Sequence, residues 1–422
     1  MAFWYGHDPP LDELALYDWV VLEPEHLPQG PPRTLVEAGA LPFAYVSVGE
    51  VGPDRPWARR VRPAWVLGSN RAWGSRILDL AAPGWRALLL ERVAALWARG
   101  WRAFFLDTLD SYQAVLPRER WAGQVAGLAA LVGELGRRFP GIRLLLNRGF
   151  ELLPRLRAEG LVEGPAGQGA GAGPVAGPVV GMAAESLYAG WDPATGRYAP
   201  VPEAERRWLL ERLERARALG LVAVAVDYLP PGRREEARAV ARRIAAHGVV
   251  PWVADPRLLT LGVGLLEVVP RKVLVLYDAP PERLPYTEAH RFLGLPLEHL
   301  GLVPAYRSLR EGLPEGPLAG RYAGVVSWFR RPLDRPGAFR RWVAARVGEG
   351  VPVVFFARLG FAPGPALSRR LGLAREGRSP GAGLRLLAQA PGMGFEARPV
   401  ARPDLPPWRA ASPAIRPWLS LG

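Results

Sequence analysis

Short apolar runs that stop at polar residues recur eight times in the first 255 residues of this 422-residue chain. They constrain the fold more than any other feature. Stretches with helical spacing lie between several of the runs, with proline near their starts and glycine near their ends, as is typical of helix termini. This alternation predicts a (β/α)8 TIM-type barrel, an α/β fold. The predicted strands are 17–22, 43–48, 64–67, 104–106, 142–146, 179–184, 222–226 and 249–253, and the predicted helices are 85–98, 118–139, 202–219 and 233–246.

The chain is long enough for more than one domain, since a typical domain has roughly 150 residues. We predict a barrel domain over 1–258, a smaller α/β domain of the flavodoxin or Rossmann type over 265–395, and a Pro/Arg-rich tail over 396–422. The strands predicted in the second region are 273–277, 325–328, 351–357 and 384–388. A Gly-rich segment, 164–178, is predicted to be a flexible connection that leads into the strand at 179–184.

Two acids, Asp107 and Glu185, each directly follow a predicted strand and decide the interpretation of the site. A strand buried on both faces offers no water to a charge, so an acid usually appears where the strand runs out into a cleft. Taken alone, either acid is also explained by a helix cap or a surface salt bridge. Repetition of the pattern favours an active site at the carboxyl ends of the strands, where barrels of this type carry it. Two acids there are the minimum for acid/base or glycosidic chemistry.

Several other kinds of active site are disfavoured by the residues present. The chain has no cysteine, which rules out thiolate catalysis and cysteine-ligated metals. Its five histidines have none of the spacings typical of zinc hydrolases, and no phosphate-binding loop of the Walker type occurs. We therefore predict no metal and no cofactor, and carboxylates are the reactive groups left.

Charge is distributed unevenly along the chain. Residues 1–260 contain 31 Arg and 28 acidic residues, and the remainder contains 23 basic and 12 acidic residues, so most of the net charge of +14 lies after the barrel. We therefore expect no nucleic acid in the barrel cleft. The basic region is either a solvated Arg-rich face or a surface for an anionic partner. No run approaches the length of about 18 apolar residues that spans a membrane, and the N-terminal residues lack a signal-peptide pattern.

Four ordered motifs resemble glycoside hydrolase family 114, and more closely the hydrolase domain of the Pel-polysaccharide-associated bifunctional hydrolase/deacetylase proteins. The motifs are Ala-Tyr-Val-Ser-Val-Gly-Glu at 44–50, Phe-Leu-Asp-Thr-Leu-Asp at 105–110, Asn-Arg-Gly-Phe-Glu at 147–151 and Ala-Glu-Ser-Leu-Tyr at 184–188. Segments 271–278, 297–301 and 322–328 resemble the α/β domain that follows the hydrolase in those proteins. The deacetylase domain that comes next in them is expected to be missing from this chain.

The resemblance implies an endo-acting hydrolase of α-1,4-linked galactosamine and N-acetylgalactosamine polysaccharide. It implies a location outside the cytoplasm and a protein partner from an exopolysaccharide system, bound through the basic second domain. Asp107 is implied as the nucleophile and Glu185 as the general acid/base, and we expect their carboxyl groups to lie roughly 5–5.5 Å apart, as in retaining enzymes. The other residues expected to contact substrate are Tyr45 and Glu50 at the second predicted strand, Asp110 just beyond the fourth, Asn147 and Arg148 at the fifth, Tyr188, and Asp227 and Tyr228 at the seventh. Asn147 and Arg148 are also suited to orienting Glu185 or Asp107.

Some alternatives stay open. Asp110 is also suited to capping the loop after its strand, and Arg148 to a structural ion pair. The whole chain could instead be a polysaccharide-binding scaffold without turnover, or a barrel hydrolase of another α-linked sugar. Of the 16 tryptophans, two or three near strand ends are expected to stack on sugar rings while the others fill the core. The candidates are Trp4, Trp57, Trp65, Trp73, Trp191 and Trp252.

Overall fold

The computed structural model of the chain describes residues 1–162, 177–356, 358–371, 373–375, 384–386, 408–410 and 419–421. The chain divides into two compact units, Met1–Val268 and Val269–Gly422. Of the predicted flexible connection at 164–178, only the last two residues are described. Most of the predicted tail at 396–422 also lies outside the described residues.

Eight parallel strands form the first unit, and each pairs with its neighbours in chain order. Between the first and last positions of each strand, most residues are apolar and buried, as expected for strands covered on both faces. The predicted (β/α)8 barrel is confirmed. The strands are β1 (Ala2–Trp4), β2 (Trp19–Leu22), β3 (Leu41–Ser47), β4 (Ala103–Asp107), β5 (Arg143–Asn147), β6 (Val179–Glu185), β7 (Val222–Tyr228) and β8 (Val250–Ala254).

The predicted number of eight barrel strands is correct, although one real strand was missed and one predicted strand does not belong to the barrel. β1 was not predicted, because three apolar residues at the N-terminus are too few to show a pattern. The predicted strand at 64–67 is wrong as a barrel strand, since Val66–Asn70 belongs to a separate antiparallel sheet with Glu50–Val51 and Ser75–Leu78. The residues of that strand are half-exposed, unlike those of the barrel. Tyr45 therefore lies on the third strand, and Glu50 lies after it.

Helices cover the outside of the barrel, and the four predicted ones are confirmed to within a few residues of their ends. The α-helices are Leu11–Leu14, Arg33–Glu37, Pro83–Ala98, Trp121–Arg138, Leu153–Ala158, Glu203–Ala218 and Arg234–Ala245. Short 3-10 turns lie at Pro24–His26, Ala58–Arg60, Pro63–Trp65, Ser111–Ala114, Arg118–Arg120 and Phe150–Leu152. A β-hairpin, Ala189–Asp192 paired with Arg197–Pro200, follows β6.

The second unit contains a four-stranded parallel sheet of β9 (Lys272–Tyr277), β10 (Val303–Ser308), β11 (Gly324–Trp328) and β12 (Val353–Phe356), in the order β10-β9-β11-β12. This is the order of the first four strands of a flavodoxin-like fold. β10 was not predicted, because it contains Pro304 and ends in polar residues. It lies at the edge of the sheet, where proline is tolerated.

The other elements of the second unit are the α-helices Glu288–His299, Pro336–Gly348 and Pro365–Leu371 and the 3-10 turns Pro281–Tyr286 and Leu309–Glu311. Two antiparallel pairs join Leu373–Arg375 to Trp408–Ala410 and Leu384–Leu386 to Leu419–Leu421. The predicted strand at 384–388 is thus described only over its first three residues.

Two glycines of the helix Trp121–Arg138 make a matched test of its packing. A methyl group at Gly127 would lie 2.0 Å from the carbonyl oxygen of Leu80, whereas one at Gly123 would meet nothing within 4 Å. We expect Gly127→Ala to lower the free energy of unfolding by about 2 kcal/mol, because the helix must move away. Gly123→Ala should raise it by up to about 1 kcal/mol through helix propensity. Urea unfolding measures both, and equal stabilities would contradict the packing described.

Candidate active site

A cleft with a volume of about 530 Å³ opens at the carboxyl ends of the barrel strands. This is the edge at which barrel enzymes carry their active sites. The structure brings eight of the ten predicted site residues to its wall: Tyr45, Glu50, Asp107, Asp110, Asn147, Arg148, Glu185 and Tyr228. Tyr188 and Asp227 do not line it.

Asn147 joins the two predicted catalytic carboxylates. It ends β5, which lies between β4, ending at Asp107, and β6, ending at Glu185. Its amide nitrogen donates to Asp107 Oδ1 at 2.7 Å and to Glu185 Oε1 at 2.8 Å. The phenol of Tyr45 donates to the other oxygen of Asp107 at 2.8 Å, and that of Tyr228 to the other oxygen of Glu185 at 2.6 Å. Each carboxylate is therefore held by one tyrosine and by the shared amide.

The backbone turns in the same way after each of these three strand ends. Thr108, Arg148 and Ser186 have φ values of 61°, 57° and 63°, in the left-handed region that non-glycine residues rarely adopt. Such residues cost about 1–3 kcal/mol each and persist where the surroundings impose them. The Thr108 hydroxyl accepts from the backbone N–H of Gly49 at 2.9 Å and so compensates part of the strain. The chain thus leaves each strand directly after the side chain that faces the cleft.

Burial dominates the electrostatics of the pair. It raises the pKa of Asp107 to about 6, and the charge of Glu185 adds to this, while the bonds from Asn147 and Tyr45 oppose it. Burial likewise raises the pKa values of Tyr45 and Tyr228 well above their usual range, with the nearby carboxylates adding to the effect. Both phenols therefore keep their protons and act as donors to the carboxylates at neutral pH.

Glu50 is buried and held by three side chains. It accepts from Asn70 at 3.1 Å, from Ser111 at 2.6 Å and from Ser75. These donors come from the small antiparallel sheet and from the loop after β4. Glu50 therefore ties this sheet to the barrel at the wall of the cleft.

Asp110 and Arg148 lie together on the same wall. Their charged atoms are 3.9 Å apart, and the Arg148 guanidinium also donates to the backbone carbonyl of Glu185 at 3.2 Å. Burial raises the pKa of Asp110, and the charge of Arg148 opposes this. Arg148 thus combines a position in the cleft with a structural ion pair, whereas the Asp110 side chain makes no capping hydrogen bond to the turn Ser111–Ala114 that follows it.

Asp227 and Tyr188 are placed elsewhere, which corrects their expected contact with sugar hydroxyls. Asp227 is fully buried, and its carboxylate accepts from the backbone N–H groups of Leu187, Tyr188 and Ala189 at 2.6–2.8 Å. Burial raises its pKa to about 6, against the effect of these three donors. The Tyr188 hydroxyl bonds His247 Nε2 at 2.7 Å. Asp227 thus holds the turn that follows Glu185.

Several residues of the wall were not predicted. Tyr5 packs on Tyr45 with ring centroids 5.0 Å apart. Tyr5 directly follows β1, and it was not predicted because β1 was not predicted. Arg55 lies with its guanidinium 5.6 Å from the Tyr45 ring centroid and pairs with Glu23 at 2.8 Å. Glu23 directly follows β2, so the rule that located Asp107 could also have selected it. No sequence signal pointed to Arg55, which lies in a loop.

The candidate tryptophans divide between core and surface. Trp4 and Trp252 are buried, and Trp57 and Trp65 pack on the core. Trp73 is 57% exposed and is the one candidate that lines the cleft. Its ring contacts that of Trp191.

No group of three or more His, Cys, Asp or Glu side chains within the described ranges is arranged to hold a metal ion. Among the helices of those ranges, none is long and apolar enough to cross a membrane.

Known proteins resemble the chain in sequence and in structure. The sequence model of Glycoside-hydrolase family GH114 matches residues 3–163. The glycoside hydrolase domain of PelA from Pseudomonas aeruginosa is 46% identical, over 62% of this chain and 96% of that one, with a TM-score of 0.53. A variant of the same domain matches at 45% identity, with the same coverage and TM-score.

A more distant match is the crystal structure of Ega3 from Aspergillus fumigatus in complex with galactosamine. It is 11% identical, over 61% of this chain and 91% of that one, with a TM-score of 0.42, which is too remote to inform the site. No curated protein matches the chain at a significant level. The PelA domain is matched over nearly its whole length. The chain therefore belongs to glycoside-hydrolase family GH114 and is a glycoside hydrolase.

Proposed function

We propose that the protein is an endo-acting hydrolase of α-1,4-linked galactosamine and N-acetylgalactosamine polysaccharide, and that it works by a retaining mechanism with two carboxylates. The observation that carries this proposal is the shared amide of Asn147. Its bonds of 2.7 and 2.8 Å to Asp107 and Glu185 limit the separation of the two bonded oxygens to their sum, about 5.5 Å. Retaining glycosidases have carboxyl groups roughly 5–5.5 Å apart, and inverting enzymes need roughly 6.5–9.5 Å to admit a water.

In the proposed mechanism, ionised Asp107 attacks the anomeric carbon while Glu185 gives its proton to the leaving oxygen. Water then attacks the glycosyl-enzyme intermediate, Glu185 takes a proton from that water, and the bond between the sugar and Asp107 breaks. The donors Tyr45 and Asn147 stabilise the ionised form of Asp107. The charge of Glu185 opposes ionisation of Asp107, and the two hydrogen bonds counter that effect.

The substrate proposal rests on family membership and on the charge of the wall. Glu50, Asp107, Asp110 and Glu185 line the cleft, and carboxylates there suit a polymer with free amino groups. We assign Glu50, Asp110, Arg148 and Tyr228 to contacts with sugar hydroxyls or amines, in addition to the bonds described above. Asp227 and Tyr188 are assigned to the turn behind Glu185.

We further propose a location outside the cytoplasm and a protein partner from an exopolysaccharide system, bound by the second unit. The uneven charge supports the second point, since the residues after 260 carry 23 basic and 12 acidic side chains. An anionic protein surface fits that excess.

Hydrolysis of a purified galactosamine-rich polymer, followed by reducing ends and product size, tests the function. We expect Asp107→Asn and Glu185→Gln each to lower kcat by at least about 1,000-fold. Glu91→Gln, an exposed carboxylate on the helix Pro83–Ala98, is the matched control and should cleave normally. A folded wild type that binds polymer without cleaving it would instead favour a scaffold, and cleavage confined to another α-linked polymer would change the substrate.

An aryl glycoside with a good leaving group separates the two roles. Glu185→Gln should regain activity on it, because little protonation is then needed, and added azide should yield a glycosyl azide of retained configuration. Asp107→Asn should stay inactive on the same substrate. The opposite pattern would exchange the two assignments, and a product of inverted configuration from the wild type would refute retention.

Asp107 should also make stability depend on pH. Its pKa is about 6 in the folded state against an ordinary value of 3.8, so between these values the native state keeps a proton that the unfolded state has lost. This contribution to stability is complete below about pH 4 and disappears as the pH rises through 6. Asp107→Asn carries no charge and so avoids the cost of burying an ionised carboxylate. We expect the variant to exceed the wild-type Tm by roughly 5 °C at pH 7 and by much less at pH 4. A gap independent of pH in thermal unfolding would contradict this.

A further inference from the structure

A second cavity, of about 380 Å³, adjoins the cleft; we call it the accessory cavity. Arg148 lines both spaces, and Ser186, the residue after Glu185, lines the accessory cavity. Its remaining wall comes from the β-hairpin after β6 and from the start of the helix Glu203–Ala218. The accessory cavity therefore begins on the Glu185 side of the carboxylate pair.

Two tryptophans meet where the spaces adjoin. Trp73 lines the cleft and Trp191 lines the accessory cavity, and their ring centroids are 5.9 Å apart with the planes tilted by 50°. They come from different loops, since Trp73 precedes Ser75–Leu78 and Trp191 belongs to the hairpin after β6. The pair presents aromatic surface to a chain that runs from one space into the other. Such surface binds the apolar faces of sugar rings and attracts cationic amines.

Two carboxylates also line the accessory cavity. Asp192 is held in the hairpin turn by the backbone N–H of Ala194 at 2.9 Å and the hydroxyl of Thr195 at 2.6 Å. Glu205 is exposed on the first turn of its helix. Aromatic rings beside carboxylates suit a sugar that carries an amino group.

We propose that the accessory cavity binds further hexosamine units of the same polysaccharide chain, on the leaving-group side of the bond that is cut. The proposal rests on the proposed function, because it takes Glu185 as the proton donor. A donor must reach the leaving oxygen, so the sugars beyond that oxygen lie on its side of the cleft. Trp191 stacks on one of these sugars, and Glu205 faces an amine.

The test compares two substrates and two variants of the whole chain. The first substrate is the galactosamine-rich polymer, which spans both spaces. The second is an aryl α-glycoside of a galactosamine trimer, whose leaving group is too short to reach the accessory cavity. The variants are Trp191→Ala and Tyr198→Ala. Tyr198 is the cross-strand neighbour of Trp191 in the hairpin but lines neither space, so its variant controls for disturbance of the hairpin.

We expect Trp191→Ala to raise KM for the polymer about tenfold and to leave kcat/KM for the aryl glycoside unchanged. Tyr198→Ala should change neither. Equal losses in both variants, equal losses on both substrates, or no change with Trp191→Ala would each overturn the proposal.

The design separates this proposal from the one on which it rests. A wild type that cleaves neither substrate would refute the proposed function. Polymer binding by calorimetry then tests the accessory cavity directly. Weaker binding by Trp191→Ala than by Tyr198→Ala would support the cavity, and equal binding would overturn it.

Discussion

The amide of Asn147 is the interaction on which the rest of the site depends. Its two N–H bonds go one to each carboxylate, and its carbonyl oxygen is buried without a hydrogen-bond partner among the described residues. Reversal of the amide would place that oxygen against Asp107 and Glu185, so the orientation is determined by the two acids. In turn, the amide sets how far apart the acids lie. β5 lies between β4 and β6, so a residue at its end is placed to bond both acids.

Holding two acids in this way opposes stability. Burial raises the pKa of Asp107, and the backbone is strained directly after each of the three strand ends. Hydrogen bonds hold these turns in place. The Thr108 hydroxyl accepts one from a backbone N–H, and the Asp227 carboxylate accepts three from the backbone N–H groups that follow Ser186. Strain and buried charge collected at one edge of an otherwise apolar barrel are typical of a site selected for activity rather than for stability.

Prediction from sequence succeeded where burial leaves a local trace. A strand covered on both faces must be apolar, so β2 to β8 were recognisable, and the polar ends of β4 to β7 located Asp107, Asn147, Glu185 and Tyr228. It failed where the trace is short or ambiguous. Three residues of β1 show no period, and Tyr5 was lost with them. Asp227 follows the apolar run of β7 as Glu185 follows that of β6, but β7 continues to Tyr228, and Asp227 does not line the cleft.

The sequence by itself determined the barrel, its carboxylate-rich edge and, through four motifs, the family. Apolar periodicity and helix punctuation are local properties, which a linear chain displays directly. Only the tertiary structure decided which polar side chains share a hydrogen bond, that Asp227 turns inward to the backbone, and that Trp73 meets Trp191. These contacts join residues 38 to 118 positions apart, and their geometry depends on the register of neighbouring strands and on the paths of loops, which pairwise spacing along the chain does not encode.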